Sequence, residues 1–199
     1  MKARYFYTLF IEEMKEDSID QQTGKSYFEL YKDLPSFTKL VNYNVIHRII
    51  ENSPDELTVQ HEYFRIDTVG WKSRYKSIEK QAFDLGFNPH LWDLKVAVEH
   101  ENSTADWNDE VIKLVHIKCP LKVIIGYNNS DLRGEVELEK LNFLSQCMNC
   151  VDAFHSGKEE FLVILGNATN SKTKETDYKK FGYKGYLYNY GSMRFEELD

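Results

Sequence analysis

A chain of 199 residues, 42% of them hydrophobic, is the size of one domain and has enough apolar material for a real core, so a single domain over 1–199 is expected. No run approaches the roughly 18 apolar residues of a membrane-spanning helix, which argues against a membrane role. A net charge of -7 argues against a surface that is a nucleic-acid footprint throughout, and leaves room only for local basic patches.

The spacing predicts two helices in the first fifty residues, over 4–16 and 36–52. In the second, Ser36 can cap, and Phe37, Leu40, Val41, Val45 and Ile49 recur at helical intervals until NSPDE breaks the pattern. A strand is expected over 57–67, LTVQHEYFRID, with Asp67 closing it before a Thr-Val-Gly-Trp turn. WKSRYKS then reads as a loop or second strand, and Gly86, Asn88 and Pro89 mark a turn. LKVAVEHE is the next strand. NSTADWNDEVIKLVHIK reads as a helix, capped by Thr104 or Asp106, acidic in its first turn, with Trp107, Val111, Leu114 and Val115 in one stripe. The apolar run CPLKVIIGYN is a buried strand. Strand, helix and strand in succession form a crossover, whose two strands should lie parallel. A helix over about 134–155, the strand FLVILG and a Tyr-rich strand or hairpin near 184–197 complete the chain.

The strand LKVAVEHE ends in two glutamates, and alternation puts Glu99 and Glu101 with Ala97 on one face, opposite Val96, Val98 and His100. Like charges roughly 7 Å apart on one face repel, and burying either without a partner is costly. A divalent cation is a natural compensator. Hard oxygen ligands suit Mg²⁺ or Mn²⁺, and such an ion serves phosphodiester hydrolysis by activating water and stabilising charge on the phosphoryl group.

Asp67 followed by Glu99-x-Glu101 on a strand, then a helix and a parallel strand, resembles the PD-(D/E)xK nuclease superfamily in an E-x-E variant. The likeness covers about 36–127 and implies a restriction-endonuclease-like α/β fold, a mixed central sheet flanked by helices, with the segment 134–197 added to it. It also implies metal-dependent hydrolysis of nucleic acid, with Asp67 and Glu99 as Mg²⁺ ligands and the backbone oxygen of His100 as a third. Glu101 stands where the commonest motif has lysine, so its role would be base or second-ion ligand. No proline precedes Asp67 in the motif position. Lys113, on the following helix, is the candidate for the missing lysine.

Lys72, Arg74 and Lys76 around Trp71 and Tyr75, and Lys179 and Lys180 beside Tyr178 and Phe181, interleave bases with aromatics, which suits contact with DNA or RNA. Cys147 and Cys150 form a C-x-x-C without a second pair, a poor zinc signal. Three cysteines make no disulfide framework, and the start MKARYFYTLFIEEMKEDS lacks a small-residue cleavage site, so a cytoplasmic setting is expected. The other reading is a catalytically silent nuclease-like domain that binds nucleic acid or protein. A homodimer is compatible with either.

Overall fold

The computed structural model describes residues 1–72, 79–87, 93–103, 106–128, 135–151, 159–167 and 182–198. Their strands form one seven-stranded mixed sheet, running β1 (Thr58–Tyr63), β2 (Ile66–Trp71), β3 (Leu94–His100), β4 (Leu121–Asn128), β5 (Glu160–Asn167), β6 (Tyr183–Asn189) and β7 (Arg194–Glu197). Spatial order equals chain order. The outer pairs are antiparallel, and β3, β4 and β5 are parallel. The expected crossover is therefore present: β3 feeds α7 (Trp107–Val115), which returns the chain to β4. A second crossover through α8 (Glu135–Asn149) leads to β5.

Helices cover both faces because the central strands are apolar on both. On one face Val96, Val98, Val123, Ile125 and Ile164 pack with α1 (Ala3–Glu13) and the helices that follow it: α2 (Glu16–Thr23), α3 (Tyr27–Tyr31), α4 (Leu34–Lys39) and α5 (His47–Glu51). On the other face Ala97, Ile124, Phe161, Val163 and Leu165 meet the α7 and α8 stripes. The predicted stripe Trp107, Val111, Leu114, Val115 is buried throughout. Gly126 lets α7 approach β4, since a Cβ there would lie 2.6 Å from Trp107. The Trp107 indole N–H then reaches Asn128 Oδ1 at 3.2 Å, which fixes the start of α7 on the sheet.

Two expectations need correction. The helix expected over 36–52 runs from Leu34 to Glu51 but is not α-helical throughout, because Leu40–Ile46 forms a π-helix between α4 and α5. The wider turn lets Val45 and Ile46 both bury beside Leu40, Val41 and Asn42, a pattern that a period of 3.6 does not describe. The single strand expected over 57–67 is a hairpin. Phe64 and Arg65 carry φ of 47° and 64° and form its two-residue loop between the paired residues Tyr63 and Ile66. Positive φ at both loop residues is what a tight right-twisted hairpin demands. Asp67 accordingly begins β2, and Thr-Val-Gly-Trp is strand, not turn.

Candidate metal centre

The hairpin brings Asp67 alongside β3. The β2–β3 register pairs Thr68 with Val98 and Val69 with Ala97, so the next step sets Asp67 against Glu99. Two hydrogen bonds lock this corner. The Asp67 N–H donates to Glu99 Oε2 at 3.3 Å, and the His100 N–H donates to Asp67 Oδ2 at 2.9 Å.

Glu99 is 2% exposed, on the α7 face of the sheet. The α7 side chain that meets it is Lys113, whose Nζ lies 2.7 Å from Glu99 Oε1, pairs also with Glu110, and donates to the Arg65 carbonyl at 2.9 Å. The helix–strand crossover thus brings a lysine against the strand's carboxylate. One ammonium serves several acids: Glu99 and Glu110 directly, while Glu62 and Glu110 press on Asp67 electrostatically. Burial pushes the Glu99 carboxyl up to about 8, and nearby Asp67 and Glu110 add to the rise against the opposing hydrogen bond from Lys113. Asp67 is raised as well, first by burial and then by Glu62, against the His100 N–H and the Lys113 charge. Burial works to lower Lys113, but Glu110 and Glu99 outweigh it and hold the ammonium above the ordinary lysine range. Lys113 thus has two acids beside it, Glu99 and Glu110.

His100 faces the other side, as alternation predicts. Its ring lies between Phe37 and Tyr127, with Nε2 3.1 Å from the Tyr127 hydroxyl. Burial lowers its pKa to about 3, so the imidazole is neutral, and its value to the site is its backbone. Tyr127 passes the chain of contacts to the Tyr183 hydroxyl at 3.2 Å, and Tyr183 to Tyr27 at 2.9 Å.

Glu101 directly follows β3: its N–H donates to the Ile125 carbonyl at 2.9 Å, and its Oε1 accepts the Ser103 N–H at 2.7 Å. Lys72 follows β2, where its N–H pairs with the Asp93 carbonyl. Arg74, Lys76, Lys179 and Lys180 lie outside the described residues. Cys147 and Cys150 are free thiols. No helix among the described residues is long and apolar enough to cross a membrane.

Among the described residues no three His, Cys, Asp or Glu side chains converge to hold an ion by themselves. Asp67 and Glu99 are the two carboxylates that meet at this corner, and each already accepts a backbone N–H. A cleft of about 460 Å³ opens beside this corner, with Asp67 and His100 on its wall together with residues of α4 and the π-helix. Asn42 and Tyr43 there gave no sequence signal, because their role depends on the π turn. No protein-family model matches the chain, and neither does any curated protein or solved structure.

Proposed function

We propose that the protein is a Mg²⁺- or Mn²⁺-dependent nuclease of restriction-endonuclease-like fold, with its core over about 36–127. The observation that carries the reading is the pairing of Asp67 with Glu99 at adjacent strand starts and ends, with Lys113 reaching the same carboxylate. A helix, an antiparallel β1–β2–β3 meander, a helix and a parallel strand are the order of elements that the PD-(D/E)xK resemblance implies.

Asp67, Glu99 and the His100 carbonyl would hold the ion, which when bound supplies a polarised phosphoryl oxygen and an acidified water. The chain's own residues do the rest. The His100 N–H orients the Asp67 carboxylate, and the Tyr127 hydroxyl anchors the His100 ring so that its backbone stays aligned. Lys113 carries a positive charge at Glu99, where a phosphate's negative charge would build up, and is the cation of the mechanism. Glu101, whose Oε1 accepts the Ser103 N–H, would serve as base or second-ion ligand.

The test is cleavage of single-stranded and duplex DNA and RNA with Mg²⁺, Mn²⁺ or EDTA. Asp67→Asn and Lys113→Ala should each lower metal-dependent cleavage by roughly a hundredfold or more while retaining the fold. Wild-type cleavage in Asp67→Asn would sink the reading. The silent-module reading has one observation in its favour, since Lys113 already pairs with Glu99 without an ion. It predicts nucleic-acid or protein binding that EDTA does not alter, and no cleavage with any metal.

A further inference from the structure

The cleft beside the candidate metal centre has no part in the chemistry described so far. Its wall is the π-helix Leu40–Ile46, which contributes Asn42 and Tyr43, with Thr38 and Lys39 just before it and Asp67 and His100 across from it. π-Helical turns are rare and recur at functional sites, because the extra residue re-aims side chains that an α-helix would point elsewhere. Tyr43 is 45% exposed. One side of its ring is backed by the His61 imidazole, with ring centroids 4.2 Å apart. His61 is in turn fixed by His47 Nδ1 at 3.0 Å and Thr68 Oγ1 at 3.1 Å, so the tyrosine stands on a braced platform with its other side available.

Polar groups next to this ring point to the kind of ligand. Asn42 is 3% exposed, and its side-chain carbonyl oxygen has no hydrogen-bond partner among the described residues. His100 Nδ1 is in the same position. Both residues line the cleft, so its wall is neutral and polar at these two positions. A bare anion does not suit the cleft, since Glu62 and Asp67 oppose the single ammonium of Lys39. A flat, neutral, hydrogen-bonding ring does suit it. The volume, about 460 Å³, falls within the range of small-molecule sites.

We propose that this cleft is a nucleobase pocket, in which an unpaired nucleotide stacks on Tyr43 beside the amide of Asn42. The proposal rests on the nuclease reading and names its substrate: single-stranded nucleic acid, or a strand whose end is frayed. Asp67 lines the cleft and also pairs with Glu99, so the two sites share this residue. A base held inside a helical groove of the protein cannot remain in a duplex stack. Stacking on an aromatic ring is tolerant of base identity, so little sequence preference is expected.

The experiment measures binding in EDTA at low salt, where no cleavage occurs. The probes are a short single-stranded oligodeoxynucleotide with a terminal 2-aminopurine and the same sequence as a blunt duplex. The single strand should bind roughly tenfold or more tightly than the duplex, with quenching of 2-aminopurine. Tyr43→Ala should weaken single-strand binding about fivefold or more and remove the quenching, whereas Tyr43→Phe retains both. Tyr43 is half-exposed, so neither change threatens the fold. Equal affinity for strand and duplex, unchanged binding in Tyr43→Ala, or no binding of either probe would each overturn the proposal. Single-strand preference without metal-dependent cleavage would overturn the nuclease reading and leave the pocket standing. Cleavage of duplex and single strand alike, unaffected by Tyr43→Ala, would do the reverse.

Discussion

Two lysines of this protein lie against carboxylates beneath the α7 face of the sheet, and they are not equivalent. Lys122, on β4, is 1% exposed, and its Nζ has Glu159 at 2.6 Å, the Val115 carbonyl at 3.4 Å and the Phe161 ring centroid at 6.0 Å. That is one cation with one acid and a closed set of contacts. Lys113, on α7, is about one-third exposed and stands between Glu99 and Glu110, while Glu62 adds to the raised proton affinity of Asp67, and Asp67 to that of Glu99. The first arrangement is complete as it stands. Among the described residues the second sets four acids against one lysine, and burial lets Glu99 keep a proton to about pH 8. A balanced buried pair is architecture, whereas an unbalanced one is a place where a further cation lowers the free energy.

The sharpest way to break that contrast is to remove each lysine. Lys122→Ala leaves Glu159 half-enclosed without a counter-charge and opens a cavity, and should cost about 3–5 kcal/mol. Lys113→Ala should cost less than about 2 kcal/mol at pH 7, because Glu99 responds by holding its proton instead of remaining a stranded anion. Urea unfolding of the two variants measures the difference. Equal losses would mean that Lys113 is a structural ion pair like Lys122.

A titration of stability sharpens it next. Glu99 moves from 4.5 to about 8 on folding, so the folded state binds the proton more tightly than the unfolded chain. Its contribution is complete below about pH 4.5 and is lost as pH rises through 8. Stability attributable to this residue should fall by roughly 2–4 kcal/mol across that window, allowing for relaxation of the buried site. Glu99→Gln should flatten the slope, while Glu159→Gln should leave it. A wild-type profile with no decline between pH 5 and 8 would remove the basis for calling the Glu99 charge uncompensated.

Adding the ion should reverse the same slope. Mn²⁺ competes with the proton on Glu99, so its stabilisation should be larger at pH 8 than at pH 6, reaching about 2.7 kcal/mol at a hundredfold excess over its Kd. Thermal midpoints with and without Mn²⁺ at the two pH values read this out. The shift should survive Glu159→Gln and vanish in Glu99→Gln; a shift unaffected by Glu99→Gln would place the ion elsewhere.

Part of the fold was legible in the sequence, and what was not has identifiable causes. The crossover from β3 through α7 to β4 could be read because its strands are apolar runs and its helix carries a clean stripe, signals that tertiary contacts reinforce. Lys113 was reachable because one helical turn separates it from Glu110 and the crossover returns α7 to the sheet. The hairpin at Phe64 and Arg65 escaped because neither residue is glycine, asparagine or aspartate, the usual markers of positive φ. The contact of Glu101 with the Ser103 N–H, just past the end of β3, is a local turn feature that no periodicity announces. The cleft was invisible, since a π-helix has no propensity signature and Asn42 and Tyr43 become neighbours of Asp67 only in three dimensions.

The smallest expected effect concerns that unmarked hairpin. Phe64 is 80% exposed, and Phe64 and Arg65 both adopt the left-handed region that a side chain disfavours. Phe64→Asn together with Arg65→Gly should stabilise the protein by about 0.5–1 kcal/mol, since the new residues adopt the turn with less strain. Arg65 reaches Lys113 through its backbone oxygen, not its side chain, so the substitution preserves that hydrogen bond. Stability should therefore rise by the same amount at pH 5 and pH 8, and the Mn²⁺ shift should be unchanged. A gain that depends on pH would mean that the Arg65 side chain supplies charge to the acid cluster, and the four-to-one imbalance around Lys113 would have to be recounted with that second cation included.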